Sequence, residues 1–244
     1  MSGVVIAETV RRQLGSVFIM AFLALLAIIG LGASRSQSPA VIWPTFASLL
    51  AIVVGSGLIG PEFSSGTLQL ILVKPLSRSS YVLSRVAGAV LVAWIGIAIA
   101  ASCELLGRLL WEHGHDLDAV GIAALHGAMR TVLICALLAF FGTFTRAYFN
   151  VGIYFFLQIG IETVAGMLGM IRQAHGGIFG AFGAFVATHP EISKGLTWVG
   201  QNLFPDPPPR IEPAWLVMVA SNAAVALLLA CLMFRRREVP YGAD

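Results

Sequence analysis

Six apolar runs divide the chain, and each approaches the roughly 20 residues that a helix needs to cross a membrane. They are Ser16–Ala33, Ala40–Ile59, Tyr81–Leu106, Ala119–Phe144, Ala147–Ile171 and Ala214–Phe234. Because lipid offers no partners for backbone N–H and C=O groups, each run must be helical. The pattern therefore predicts an all-α, polytopic membrane protein with six transmembrane helices, in one domain over residues 1–244.

Three shorter apolar stretches cannot cross a membrane. Val4–Leu14 predicts a short interfacial helix before the first run. Thr67–Val73 lies between Gly66 and Pro75, two residues that interrupt helices, and predicts an interfacial or re-entrant segment. Gly176–Val186, within the long connection 172–213, is rich in small residues. It predicts either a re-entrant excursion or a loop packed on the outer face.

Composition supports the membrane class and narrows the partners. The 244 residues are 58% hydrophobic and only 11% charged, whereas soluble domains are about a quarter charged. A net charge of +3 is too small an excess to indicate nucleic acid. The first run could be a signal peptide, but it exceeds the usual apolar length of about 7–15 residues, which favours an uncleaved span.

The basic residues predict the orientation, because cytoplasmic loops carry an excess of Lys and Arg. With both termini inside, nine cations lie on the inner side: Arg11, Arg12, Lys74, Arg78, Arg85, Arg146, Arg235, Arg236 and Arg237. Five lie on the outer side: Arg35, Arg108, Arg172, Lys194 and Arg210. The bias predicts a multi-pass protein of the cytoplasmic membrane with both termini in the cytoplasm.

The chain has little catalytic chemistry of its own. Neither Lys74 nor Lys194 is preceded by the glycine pattern of a phosphate-binding loop, so any ATP would be hydrolysed by a separate chain. His113, His115 and Asp116 form the one dense group of metal-ligand types. They support an alternative, a membrane enzyme with an outer-face metal site, but a solvated loop is the favoured interpretation and no metal is expected.

Charged residues within the apolar runs are candidates for a transport pathway, because burying a charge in lipid is costly. Glu104 and Arg108 stand four residues apart, which predicts a local ion pair. Arg130, one helical turn after His126, could reach toward the membrane surface. Glu162 has no partner nearby in sequence, so it would line a pathway or pair with Arg130 across the bundle. Glu104, Arg130 and Glu162 are therefore the candidate pathway or intrabundle polar residues.

The segment between the second and third runs resembles a signature of type-2 ABC exporter permeases. The resemblance rests on Glu62, Gly66-Thr67-Leu68, an aliphatic run to Leu72, Lys74-Pro75-Leu76-Ser77-Arg78, and Tyr81-Val82-Leu83-Ser84-Arg85. Ser64-Ser65 departs from the more polar or charged pair of that family, and Arg85 stands where a lysine is frequent. The six-run layout, with a long connection before the last run, is similar along the whole chain.

The resemblance implies a permease of an ATP-driven exporter. It also implies that residues of about 62–78 form a cytoplasmic coupling helix, which docks on the ATPase subunit. The implied coupling residues are Glu62, Gly66, Thr67, Leu68, Leu70, Ile71, Leu72, Pro75 and Arg78. The implied partners are two copies of a cytosolic ABC ATPase, which would hold ATP and Mg, and a second permease copy or a related permease in the lipid membrane. The family also implies outer re-entrant or short helices around Gly176–Val186, and a prokaryotic source.

Overall fold

The computed structural model describes residues 2–35, 42–59, 77–111, 117–145, 148–172 and 189–236. These residues form eight α-helices and no strand, which confirms the all-α prediction for the described part of the chain. The helices are α1 (Gly3–Leu14), α2 (Val17–Ala33), α3 (Ile42–Ser56), α4 (Arg78–Leu110), α5 (Leu117–Gly142), α6 (Phe149–Arg172), α7 (Pro190–Leu203) and α8 (Pro213–Arg236).

Three helices are long and apolar enough to cross a membrane, with spans at Arg78–Leu110, Asp118–Gly142 and Pro213–Arg236. A fourth span is reached if α1 and α2, which meet at a bend of 76°, count as one. Two further apolar helical stretches, Ile42–Ser56 and Phe149–Ile161, are shorter. The described residues therefore support a multi-pass membrane protein with three or four candidate spans.

The chain separates into two compact units, and the first holds residues 1–151 and 210–244. We call one end of this unit the base. There Arg85 of α4 donates to the carbonyl of Leu58, just after α3, and Tyr81 of α4 stacks on Phe234 near the end of α8. At the far end, Trp43 at the start of α3 donates to Glu104 late in α4. Helices α3 and α4 thus run antiparallel between the same two ends.

Small residues let the helices of the first unit approach closely. A Cβ atom added at Gly30 of α2 would collide with the backbone of Ala100 in α4, and one added at Gly96 of α4 would meet the side chains of Leu50 and Leu26. Such close approach is how membrane helices gain packing energy when lipid is as apolar as leucine. The core at this crossing is completed by fully buried Leu26, Leu50 and Ala100.

The second unit covers residues 152–209 and contains most of α6 and all of α7. The ring of Tyr154 meets that of Phe204 edge-on, with centroids 5.5 Å apart. Helix α7 has Pro190 in its first turn, where proline fits, and an exposed pair of Glu191 with Lys194 at 3.7 Å. A short helix therefore occupies part of the predicted connection 172–213, whereas the predicted re-entrant stretch Gly176–Val186 lies outside the described residues.

Candidate coupling site at the base of the bundle

The described residues that flank the predicted coupling segment lie at the base. Glu62, Gly66, Thr67, Leu68, Leu70, Ile71, Leu72 and Pro75 all fall within residues 60–76, outside the described part of the chain. The described residues on either side are Leu58 and Ile59, both buried, and Ser77 and Arg78 at the start of α4. These flanking residues show how the ends of the segment are held.

Arg85 connects three elements at the base. Its side chain is only 8% exposed, and its Nε donates to the Leu58 carbonyl at 3.3 Å. Its Nη1 donates to Oγ1 of Thr9 in α1 at 3.2 Å. A guanidinium is suited to this position because its planar fork can serve two acceptors at once. Arg85 therefore joins α1, α4 and the chain that leads into the coupling segment.

Helix α1 is fixed against α4 by further polar and close contacts. Thr9 is 1% exposed, and its hydroxyl donates to the Val5 carbonyl at 2.7 Å while accepting from Arg85. A Cβ at Gly88 of α4 would collide with the Thr9 side chain, so glycine permits this contact. At the N-terminus, the Ser2 amide donates to Oγ of Ser84 at 2.8 Å. Because α1 carries Thr9 on its packed face, its position depends directly on α4.

The chain leaves the coupling segment through a capped helix start. The sequence offers Ser77 or Ser79 as the N-cap of this helix. In the structure Ser77 takes this role, because its side chain accepts a hydrogen bond from the amide of Ser80 at 3.3 Å. The next residue, Arg78, donates through Nη1 to the carbonyl of Arg235, near the end of α8, at 3.4 Å. Of the predicted coupling residues, Arg78 is the one that the structure describes, and it links the end of the segment to α8.

Asn150 completes the base at the junction of α5 and α6. Its Nδ2 donates to the carbonyls of Ser56 and Leu138, both at 3.2 Å, and its Oδ1 accepts from the amide of Val151 at 2.9 Å. The residue is fully buried, so these bonds satisfy a group that would be costly to leave unpaired. The end of α3, where the coupling segment begins, is thereby also tied to α5.

These contacts connect both ends of the predicted coupling segment to the helices of the bundle. The residue pairs Arg85–Leu58 and Asn150–Ser56 hold the end of α3, and Arg78–Arg235 holds the start of α4. A force applied to the segment between them would reach α1, α3, α4, α5, α6 and α8 through the hydrogen bonds of Arg85, Asn150 and Arg78. Packed helices respond to such a force by shifting as bodies and do not deform continuously.

The predicted ion pair between Glu104 and Arg108 is present at the far end of α4. Arg108 donates through Nη2 and Nε to Oε1 of Glu104, at 2.7 and 2.9 Å. The other oxygen, Oε2, accepts from the indole Nε1 of Trp43 at 2.6 Å. Glu104 is 0% exposed and Arg108 is 3% exposed. This fully bonded, closed arrangement favours an intrabundle role for Glu104 over a place in a pathway.

The other candidate residues are not brought into one site. Arg130 is half-buried in α5, with no hydrogen bond or ion pair to a partner within the described residues. The side chain of Glu162 lies outside the described part, so its pairing with Arg130 stays a prediction. His113, His115 and Asp116 also lie outside it, and the described residues contain no group that could hold a metal ion.

Several contacts at the two ends were not predicted from the sequence. Trp43, Thr9 and Asn150 each bridge separate helices, and the partners that they bridge to are distant in sequence. A polar residue inside or beside an apolar run was the available signal for Thr9 and Asn150. Tryptophan is so common at membrane interfaces that Trp43 gave no such signal.

The family model described as "ABC-2 family transporter protein" matches residues 9–239, which is nearly the whole chain. The chain belongs to the ABC-2 transporter family. The comparison with individually curated proteins found no match. Membership confirms the type-2 ABC permease resemblance, and it agrees with a transport component that spans the membrane repeatedly.

Membership in the ABC-2 family gives meaning to the base of the bundle. In this permease the matched region includes α1 from Thr9 onward, the coupling segment and the end of α8. The hydrogen bonds of Arg85, Asn150 and Arg78 lie on either side of the segment on which the family resemblance was first based. The base is therefore the candidate coupling site.

We expect Arg85→Lys to lower the free energy of unfolding by about 1.5–3 kcal/mol, the usual contribution of a hydrogen bond to a charged group. Lysine keeps the charge but lacks the fork that serves Leu58 and Thr9 together. Thr9→Val removes the hydroxyl acceptor at similar volume. Chemical unfolding of the purified permease in detergent should therefore show that the double variant loses less than the sum of the single variants.

Arg12→Lys provides a matched control, because Arg12 is exposed on α1. It should leave the unfolding midpoint unchanged. Strict additivity of Arg85→Lys and Thr9→Val would contradict the direct contact between the two side chains.

Proposed function

We propose that this ABC-2 permease couples ATP hydrolysis by a separate ATPase subunit to the movement of a substrate across the membrane, and that the coupling helix lies within about 62–78. The observation that carries the proposal is the set of hydrogen bonds at both ends of this segment. A segment that only rested in the lipid headgroups would not need its flanks tied to six helices.

The proposed mechanism follows from the contacts at the base. An ATPase docked on the apolar residues Leu68, Leu70, Ile71 and Leu72 would push or pull the segment as it binds and hydrolyses ATP. Arg85 and Asn150 would pass this motion to α1, α3, α4 and α5. A conformational change of this kind requires contacts that differ in free energy between the two states. ATP and Mg would be held by the ATPase, and this chain would supply no catalytic residue.

We propose that the active assembly contains two permeases and two ATPases. The second permease would be another copy of this chain or a related one, and the two would enclose the translocation path. Large apolar side chains exposed along α2 and α8 would then face lipid or the second permease; they include Val17, Phe18, Ile28, Val217 and Leu228. Six spans follow if the short helices α3 and α6 also cross the membrane beside the three or four longer candidates.

The proposed orientation places the base and both termini in the cytoplasm. It is supported by the clustering of cations near the base, where Arg11, Arg12, Arg78, Arg85, Arg235 and Arg236 all lie on elements that meet there. Amphipathic α1 would lie in the inner interface, at 76° to α2, with Arg11 and Arg12 toward the headgroups.

We expect cysteine labelling to report this orientation. In a background with Cys103, Cys135 and Cys231 replaced by alanine, Ser38→Cys and Ser193→Cys should react in intact cells with a membrane-impermeant maleimide. Ser65→Cys should react only after the membrane is opened. Labelling of Ser65→Cys in intact cells would overturn both the orientation and the docking of a cytosolic ATPase.

A further inference from the structure

Arg130 lies at the centre of a candidate membrane span in α5. Arg130 stands 12 residues after Asp118 and 12 before Gly142, the limits of the span in α5. At 1.5 Å per residue, each end is about 18 Å away along the helix. Trp94 is likewise midway along α4, 16 residues from Arg78 and from Leu110, and its Nε1 donates to the carbonyl of Ala128 at 3.1 Å. The middles of the two helices therefore lie at the same level.

Arg130 is too deep to reach the lipid phosphates. An extended arginine side chain spans roughly 7 Å, from bond lengths near 1.5 Å. The phosphates lie beyond a hydrocarbon half-thickness of about 15 Å. A basic residue near a helix end can extend its side chain to place its charge at the membrane surface. Arg130 is too far from either surface to do so.

The protein itself gives this charge no counter-ion in the part that the structure describes. Arg130 is half-buried and has neither a hydrogen bond nor an ion pair with any described residue. The Glu104 carboxylate, ten residues beyond Trp94 in α4, is already occupied by Arg108 and Trp43. An intramembrane cation without a partner marks a place where something else supplies negative charge or water.

His126 supplies a second unused polar group one helical turn from Arg130. It is 6% exposed, and its Nε2 is buried without a hydrogen-bond partner. Its ring meets that of Trp215 in α8 edge-on, with centroids 4.7 Å apart, so the imidazole is held in place. A buried orphan nitrogen is uncommon because leaving it unpaired costs free energy.

The exposure of α5 changes at Arg130. Residues 122–125, 128–130 and 132 are partly exposed, with His126, Gly127 and Thr131 buried among them, whereas residues 133–139 are all buried. Arg130 thus lies where the accessible half of the helix, on the far side, meets the closed half toward the base. A ligand that enters from the accessible half would meet Arg130 before the closed part of the bundle.

We propose that Arg130 and His126 form an anion-binding site in the middle of the membrane, and that the substrate of this permease carries a carboxylate or phosphate group that binds there. This inference rests on the proposed transport function and specifies its substrate class. The guanidinium would make charge-assisted hydrogen bonds to two oxygens of the anion. His126 Nε2 would add a further hydrogen bond when its tautomer carries the proton on that nitrogen.

The test uses the purified complex of permease and ATPase in nanodiscs of neutral lipid. The ligand is an undecanoic acid labelled with dansyl, and its primary amide serves as the uncharged control. Energy transfer from tryptophan to dansyl measures binding. The acid should bind the wild type about ten to a hundred times more tightly than the amide, the usual effect of a hydrogen bond to a charged group. Arg130→Gln should remove this preference, whereas Arg130→Lys should retain most of it.

A second arm identifies the source of the anion. Competition by inorganic phosphate would show that a free anion suffices, and its absence would show that the site takes the headgroup of an amphiphile; both support an anion site. Binding of the amide should be the same in wild type and Arg130→Gln, which controls for folding. His126→Phe should weaken binding of the acid while sparing the amide.

Three results would overturn the proposal. They are equal binding of acid and amide by the wild type, an unchanged preference in Arg130→Gln, and separation of the permease into single copies by Arg130→Gln, which would make Arg130 an interface cation. The proposed coupling function is judged independently, by whether the wild-type permease co-purifies with its ATPase and the complex hydrolyses ATP. Loss of the ATPase from the wild-type complex would instead count against the coupling function.

Discussion

Arg108→Ala is expected to lower the free energy of unfolding by about 3–5 kcal/mol, because it leaves a buried carboxylate without its counter-ion. Glu104 is 0% exposed and would retain only the indole of Trp43 as a described donor. Most proteins are stable by only about 5–15 kcal/mol, so a loss of this size should sharply reduce the amount of folded permease. Chemical unfolding in detergent, together with the yield of monodisperse protein, measures the effect.

Two matched variants separate the buried charge from general damage. Lys194→Ala removes a partner from the exposed pair with Glu191 and should have almost no effect, as is usual for surface pairs. Combining Glu104→Gln with Arg108→Met removes both charges while keeping an acceptor for Trp43. This double variant should be considerably more stable than Arg108→Ala alone. Equal stability of Arg108→Ala and Lys194→Ala would contradict the description of the far end.

Local patterns in the sequence predicted the elements of this fold better than the contacts between them. The apolar runs predicted the helices that became α2 to α6 and α8, and the short stretch Val4–Leu14 predicted α1. These predictions succeed because the length of an apolar run and the need to satisfy the backbone act within one segment. The Ser77 cap and the Glu104–Arg108 pair were predictable for the same reason, because their partners are only three and four residues apart in sequence.

Contacts over long sequence separations could not be predicted. Trp43 meets Glu104 across 61 residues, and Arg85 meets Thr9 across 76 residues. Which face of α3 or α1 turns toward α4 depends on the packing of small residues such as Gly88 against Thr9. A single apolar run does not encode that choice, because most of its faces are equally compatible with lipid.

The sequence predicted where the candidate site lies, but it did not predict the contacts that hold it together. The breakers Gly66 and Pro75 and the cations around them pointed to the connection between α3 and α4. Arg85 was counted among the inner cations, but its burial and its contact with the end of α3 were not predicted. Arginine can be buried here because backbone and hydroxyl oxygens satisfy its donors.

Leu70→Asp and Leu72→Asp are each expected to abolish transport while the permease still inserts into the membrane. A leucine buried at a partner surface contributes about 1.5–3 kcal/mol. An aspartate in its place loses this contribution and must also shed its hydration to dock. The combined effect should weaken ATPase binding by at least tenfold, since about 1.4 kcal/mol corresponds to that factor.

Leu117→Asp, at the start of α5, is the control for adding a carboxylate to this membrane protein. It lies at the far end of the bundle and should affect neither ATPase binding nor transport. If Thr67–Val73 only rested in the headgroup layer, all three variants would behave alike toward the ATPase.

The central claim is tested most directly by purifying the permease with its ATPase and measuring both the bound ATPase and the rate of ATP hydrolysis for wild type, Leu70→Asp and Leu72→Asp. The account predicts that both variants are recovered folded from the membrane, with little bound ATPase and without the hydrolysis rate of the complex. Wild-type levels of bound ATPase and of hydrolysis in both variants would contradict the assignment of this segment as the coupling helix.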